Sequence, residues 1–192
     1  MKKWIIVIVV LVLLGMFGCN KYNNMVGKDE NVKNKWGAVE SQYQRRSDLI
    51  PNLVSTVKGA ANFEQTTLTQ VIEARAKATQ VTVNADDLSP EKIQQFQAAQ
   101  GQLSGALGRL LAVAEAYPDL KANQNFRDLQ AQLEGTENRI TVARNDFNTA
   151  VNSYNSTVRT FPNNIIAGIS GFGQKGYFTA DKGAENAPKV SF

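Results

Sequence analysis

The chain has 192 residues, a formal net charge of +4, no histidine and a single cysteine, Cys19. One domain fits this length once an N-terminal apolar segment is set aside. The mild charge, half of it from Lys2 and Lys3, excludes a nucleic-acid binder, since no dense Lys/Arg run interleaved with aromatics is present. Without histidine the chain lacks the commonest general base and the commonest metal ligand. A lone cysteine forbids an internal disulfide and a Cys/His metal cluster.

Met1-Lys2-Lys3 precedes an uncharged run from Trp4 to Gly18. A basic start followed by such a run reads as a membrane anchor or an export signal. The run is longer than an ordinary signal core and shorter than a full span, but helix can extend it through Tyr22 to Val26. Lys21 then snorkels and Tyr22 sits at the interface. A second reading makes Met16-Phe17-Gly18-Cys19 a loose lipoprotein box: Gly18 fits, Phe17 fits poorly, and cleavage leaves a lipid-modified Cys19. Residues 1–26 are therefore assigned to an anchor or lipoprotein signal. Lys2 and Lys3 favour a cytoplasmic N-terminus, which puts the remaining chain on the extracytoplasmic side.

From Tyr22 to Phe161 the apolar period is helical. Trp36, Val39, Tyr43, Ile50, Leu53 and Val57 share a face, with Arg46 filling the gap between 43 and 50. The register holds across Pro51, and no glycine marks a turn there, so one long helix kinked at Pro51 is expected rather than two. The same register continues through Ala60, Glu64, Leu68, Val71 and Arg75. Residues 79–88, β-branched and then acidic, read as an extended connection. Ser89-Pro90-Glu91 restarts a helix with Ser89 as N-cap. Ile93, Phe96, Gln100, Leu103, Leu107, Leu110, Ala114 and Tyr117 follow, and Pro118 ends it.

The last helix alternates three and four without a slip from Phe126 through Leu133, Thr136, Ile140, Phe147 and Tyr154 to Phe161, roughly 60 Å of helix. It needs a long partner, which the first helix supplies. The expected fold is all-α, an antiparallel bundle of long helices over residues 27–162 behind the anchor. The alternative, an extended coiled coil with another chain, would make a homo-oligomer.

Asn138, Asn145, Asn148, Asn152 and Asn155 form a stripe turned away from the apolar face of that helix. Asn costs roughly 0.6 kcal/mol against Ala at a helical site, about 3 kcal/mol over five. The stripe is either a solvated face or a surface where amides meet another chain or the C-terminal tail. Glu134 with Glu137, and Asp86 with Asp87, have ordinary surface spacings, not those of a catalytic pair. Residues 163–192 lose the helical period. Their glycines surround Phe172, Tyr177 and Phe178, so this irregular tail is expected to pack back on the bundle or to anchor a partner. The terminal Val190-Ser191-Phe192 could add as a strand to a PDZ-like groove.

Trp36, the run Arg45-Arg46-Ser47-Asp48-Leu49-Ile50-Pro51-Asn52-Leu53-Val54 and Val57-Lys58-Gly59 resemble the LemA family. So do Ala114 through Asn123, Leu133-Glu134-Gly135-Thr136-Glu137-Asn138-Arg139-Ile140, and Asn148 through Asn155 with Phe161-Pro162. The resemblance covers nearly all the chain beyond the anchor. It implies a bacterial membrane protein with one N-terminal anchor and a helical bundle of bromodomain-like, mirror up-and-down type, with no assigned catalytic site or cofactor. It further implies envelope processes, with membrane peptidases or TPM-domain proteins as neighbours, and one branch in magnetosome formation. Where the family often carries Tyr and then His-Glu, this chain has Ala60, Ala61, Asn62, Phe63 and Glu64, so no role for that histidine carries over.

The function expected is a non-enzymatic, membrane-tethered scaffold or adaptor of the envelope; the alternative is an envelope-stress or membrane-remodelling component acting on the bilayer. Arg45, Arg46, Asp48 and Asn52 at the bend, and Asn145, Asn148, Asn152 and Asn155 on the last helix, are the candidate interaction residues. At the bend, a buried Arg–Asp pair holding the kink is the structural alternative.

Overall fold

A computed structural model describes residues 2–59 and 64–180, the side chain of Leu14 apart. The sequence departure at residues 60–63 and the C-terminal Val190-Ser191-Phe192 lie outside the described residues. Among those described, the fold is all-α: α1 (Lys2–Lys58), α2 (Gln65–Gln80), α3 (Pro90–Ala114), α4 (Pro118–Ala122), α5 (Gln124–Arg159) and α6 (Asn163–Ser170).

α1 is one unbroken helix of 57 residues that includes Pro51. Its first part is apolar on every side, and Trp4 through Leu13 are exposed. This is the one helix among the described residues long and apolar enough to cross a membrane. From Met25 onward α1 buries one face, with Met25, Val32, Trp36, Val39, Tyr43, Ile50, Leu53 and Val57 in the core. The packed body thus begins inside the stretch read as anchor.

A proline inside a helix removes the hydrogen bond to the carbonyl four residues earlier. Here that carbonyl belongs to Ser47, and Arg75 on α2 donates its Nε–H to it at 3.0 Å. The cost of Pro51 is offset from a neighbouring helix. Replacing Arg75 with Met should therefore destabilise the fold by about 1–2 kcal/mol, the cost of a poorly satisfied carbonyl. In a Pro51→Ala background, where the helix regains its own N–H, the same change should cost much less. A double-mutant cycle on urea midpoints reads the difference, and equal costs in both backgrounds would refute the pairing.

The same contact corrects one expectation. The apolar register running from Val57 into Leu68 and Val71 suggested that α1 continues, but α1 stops at Lys58 and Gly59 closes a turn onto Thr56. α2 then runs back along α1, bringing Arg75 to Ser47. Both helices turn their apolar faces to one core, so the register persists across a reversal that it cannot report.

α3 returns antiparallel to α2, and Gln100 Nε2 reaches the carbonyl of Ala78. The connection, residues 81–89, buries Val83 and Leu88 and turns on Asn84, whose Oδ1 accepts from the Asp86 N–H at 2.9 Å. Ser89 holds the N-cap position, but its hydroxyl makes no capping bond. α3 ends at Ala114 rather than at Pro118, which instead opens the short α4. Asn123 caps α5 by accepting from the Phe126 N–H.

α5 pairs antiparallel with α1: Lys28 meets Ser153, Lys35 meets Asp146 and Arg46 meets Glu137. The tail is not irregular from its start. Residues 163–170 form α6, closed by Gly171 at φ +77°, a left-handed cap that glycine adopts without strain. Residues 172–180 follow without helix and pack on the bundle. The core has two parts: one around Trp36, Phe96, Phe147 and Phe178, nearer the apolar segment, and one around Leu53, Leu68, Leu103 and Leu110, farther away.

Candidate functional site

Between the two apolar cores lies a polar layer. Arg46 is 2% exposed and sits where the α1 register calls for an apolar side chain. Its Nη1 donates to Ser104 Oγ (2.7 Å) and Glu137 Oε2 (2.9 Å), and its Nη2 to Gln100 Oε1 (2.7 Å) and the Gln100 carbonyl (3.3 Å). The guanidinium lies 5.0 Å from the centre of the Tyr43 ring. One side chain thus ties α1 to α3 and α5 with directional bonds. Burial of a guanidinium is costly, and here both Nη groups are paired while the buried Nε–H has no hydrogen-bond partner.

A second polar device holds the tail. Asn155 Nδ2 donates to the Lys175 carbonyl and its Oδ1 accepts the Lys175 N–H, both at 2.9 Å. Asn148 does the same with Phe178, at 2.8 and 2.9 Å. Gln97 on α3 repeats it with Thr179, at 2.8 and 3.1 Å. Each amide presents one donor and one acceptor to the backbone of one extended residue, as a neighbouring strand would. The spacing is matched: seven residues of helix between Asn148 and Asn155 cover about 10.5 Å, and three extended residues from Lys175 to Phe178 cover about 10 Å.

The clamped strand drives Phe178 among Trp36, Phe96 and Phe147, with ring centres 5.5–6.4 Å away. Arg144 covers the outer side of the Phe178 ring at 4.8 Å. Gly176 N–H bonds to the Leu88 carbonyl at 2.8 Å, and a Cβ at this residue would fall 2.7 Å from Pro90 Cα, so only glycine lets the strand pass.

Near the apolar segment, charges staple three elements. Lys175 bonds Asp29 at 2.7 Å, Asp29 meets Lys33 at 3.2 Å, and Lys33 meets Asp86 at 2.7 Å. Bonds from Lys33 to Asp86 and Asp29 hold its ammonium well above the usual lysine range, and Lys33 pulls the Asp86 carboxyl down. Tyr154 lies under Lys175; burial first, and then the negative charge of Asp29, push its phenol up to about 12. A raised folded value means that the folded chain keeps a proton which the unfolded chain releases near pH 10. This contribution is complete below pH 10 and is lost as pH rises between about 10 and 12. Alkaline titration of the folding midpoint should fall less steeply for Tyr154→Phe over that window; an unchanged slope would refute the assignment.

The LemA family model matches residues 35–192. The chain belongs to the LemA family. It is 28% identical over 188 residues to magnetosome protein MamQ 2 of Paramagnetospirillum magneticum, covering 89% of this chain and 69% of that one. Magnetosome protein MamQ of Magnetospirillum gryphiswaldense is 26% identical over the same shares. Protein LemA of Metamycoplasma hominis is 23% identical over 169 residues, 86% of this chain and 74% of that one.

In this LemA-family chain the bend residues separate into two groups. Arg46 is enclosed and engaged within the chain, and its partner is not Asp48 as a buried Arg–Asp pair required: Asp48 is exposed and accepts from Gln44 Nε2 at 2.8 Å. Arg45 and Asn52 are also exposed, and Arg45 and Asp48 share a shallow surface crevice with Arg139. The asparagine stripe likewise divides. Asn148 and Asn155 clamp the tail, whereas Asn138, Asn145 and Asn152 face solvent. Cys19 is exposed on α1. Gln100, Ser104, Glu137, Gln97 and Arg75 were not singled out from sequence as site residues. A signal existed for the polar layer, because Arg46, Gln100 and Thr136 all occupy apolar register positions.

Proposed function

We propose that this LemA-family protein is a non-enzymatic scaffold of the bacterial envelope, held to the membrane by an uncleaved, single-pass N-terminal helix. The observation that carries the reading is α1 itself, which passes without a break from an exposed apolar segment into the bundle core. A continuous helix transmits the orientation of the anchor to the body, as a rigid post requires. Its passage through Cys19 supports the anchor over lipidation at that residue, and a mass measurement of the mature N-terminus decides between them.

In this reading the body stands on the extracytoplasmic side. Its polar side chains at Arg45, Asp48, Asn145 and Asn152 are the surface offered to a partner, with a membrane peptidase or a TPM-domain protein as the candidate class. Photo-crosslinkers at Asn145 and Asn152 in native membranes should give one discrete adduct. The same crosslinker at Ile72, exposed elsewhere on the body, should not. Turnover of a substrate by the pure protein would overturn the reading.

A further inference from the structure

The antiparallel pairing of α1 with α5 runs from Arg46–Glu137 to Lys35–Asp146 to Lys28–Ser153, and over the last step it advances residue for residue. Continued to the end of α5, it brings Arg159 level with Tyr22, only about 6 Å of helix beyond Gly18, where the apolar run ends. α6 follows at once and stays at this level: Ala167 and Ile166 join Met25 and Val158 in the core, and Phe172 meets the Tyr22 ring at 5.5 Å.

The other face of α6 is apolar and uncovered. Ile165 and Ile169, one turn apart on α6, are 53% and 84% exposed, and Phe161, just before the helix, is 75% exposed. Ile169 is more exposed than any described apolar side chain of the anchor, of which Trp4 is the highest at 73%. From Arg159 to Lys175 the chain carries no acidic residue. Lys21 and Arg159 lie at the same level.

We propose that α6 with Phe161 is an interfacial foot, inserting Phe161, Ile165 and Ile169 into the bilayer at the headgroup boundary beside the anchor. The occupant of this face is lipid. The anchor fixes the height of the membrane, the foot sits just past the end of the apolar run, and its charge suits an anionic surface. A short apolar face at this depth adds a second point of contact, which stops the body from pivoting about α1. The foot rests on the anchor reading and extends it: the protein both spans the membrane and lies on it.

The test uses the full chain with Cys19→Ser in nanodiscs that contain spin-labelled lipid. An environment-sensitive fluorophore is placed in turn at Ile169→Cys, Ile165→Cys, Phe17→Cys and Val142→Cys. At Ile169 and Ile165, lipid labelled near the headgroup should give roughly a twofold loss of emission, and lipid labelled at the chain end little, as fits insertion of about 5–10 Å. Phe17 should be quenched and Val142, exposed on the body, should not. Quenching at Phe17 with none at Ile169 would overturn the foot and leave the anchor standing. A blue-shifted but unquenched Ile169 label would overturn it in favour of a protein cover. No quenching at Phe17 would overturn the anchor, and the foot with it.

Discussion

Arg46→Ala should lower folding stability by about 3 kcal/mol, among the largest effects of any single polar change in the chain. The loss comes less from the ion pair than from what is left behind. Glu137 is half exposed and can return to water, so Glu137→Gln should cost only about 0.5–1 kcal/mol. Gln100, by contrast, is 8% exposed, and its Oε1 would lose the guanidinium in a layer closed above and below by apolar residues. Replacing both partners with apolar groups, Arg46→Met with Gln100→Leu, should recover a large part of the loss. Urea unfolding of the four proteins checks this. A double variant as unstable as Arg46→Ala would mean that the layer contributes through more than satisfied polarity.

Phe178→Ala should cost about 3–5 kcal/mol, the usual range for a large aromatic removed from a packed site. It should also release the tail. Three amide clamps hold residues 175–179, but each bond contributes only about 1 kcal/mol net. The ring seated against Trp36, 6.1 Å away and nearly parallel, is the main term. Hydrogen exchange of the Lys175, Gly176, Phe178 and Thr179 amides should rise together by several orders of magnitude, and Trp36 emission should shift to the red. Asn148→Leu, which removes one clamp and keeps the ring, should raise the exchange of Phe178 far more than that of the others. Retained protection throughout in Phe178→Ala would show that the amides alone bind the tail.

The bundle was legible in the sequence because long helices with a steady three-four register leave little freedom in fold class. Phe126 to Tyr154 and Ile93 to Leu110 lie in helices as the register required. The reversal at Gly59 was not legible, since α1 and α2 face the same core and the register cannot distinguish continuation from return. The asparagine stripe was visible as a costly choice, but its use depends on the path of a tail 20 and 30 residues farther on. Arg46 stood out as a basic residue at a core position; its partners on α3 and α5 are 54 and 91 residues away, and no local pattern joins them. Arg75 was hidden for the same reason: its purpose is a carbonyl freed by a proline on another helix.

The proposed function requires the apolar segment and the body to be one rigid unit, joined by the unbroken α1. Spin labels at Val10→Cys in the apolar segment and Arg45→Cys on the exposed body face, in the Cys19→Ser protein reconstituted in nanodiscs, measure it by dipolar spectroscopy. Thirty-five residues of continuous helix predict a single narrow distance distribution centred at about 52 Å. A broad distribution, or one centred well below that distance, would mean a hinge between membrane and bundle and would rule out a rigid post.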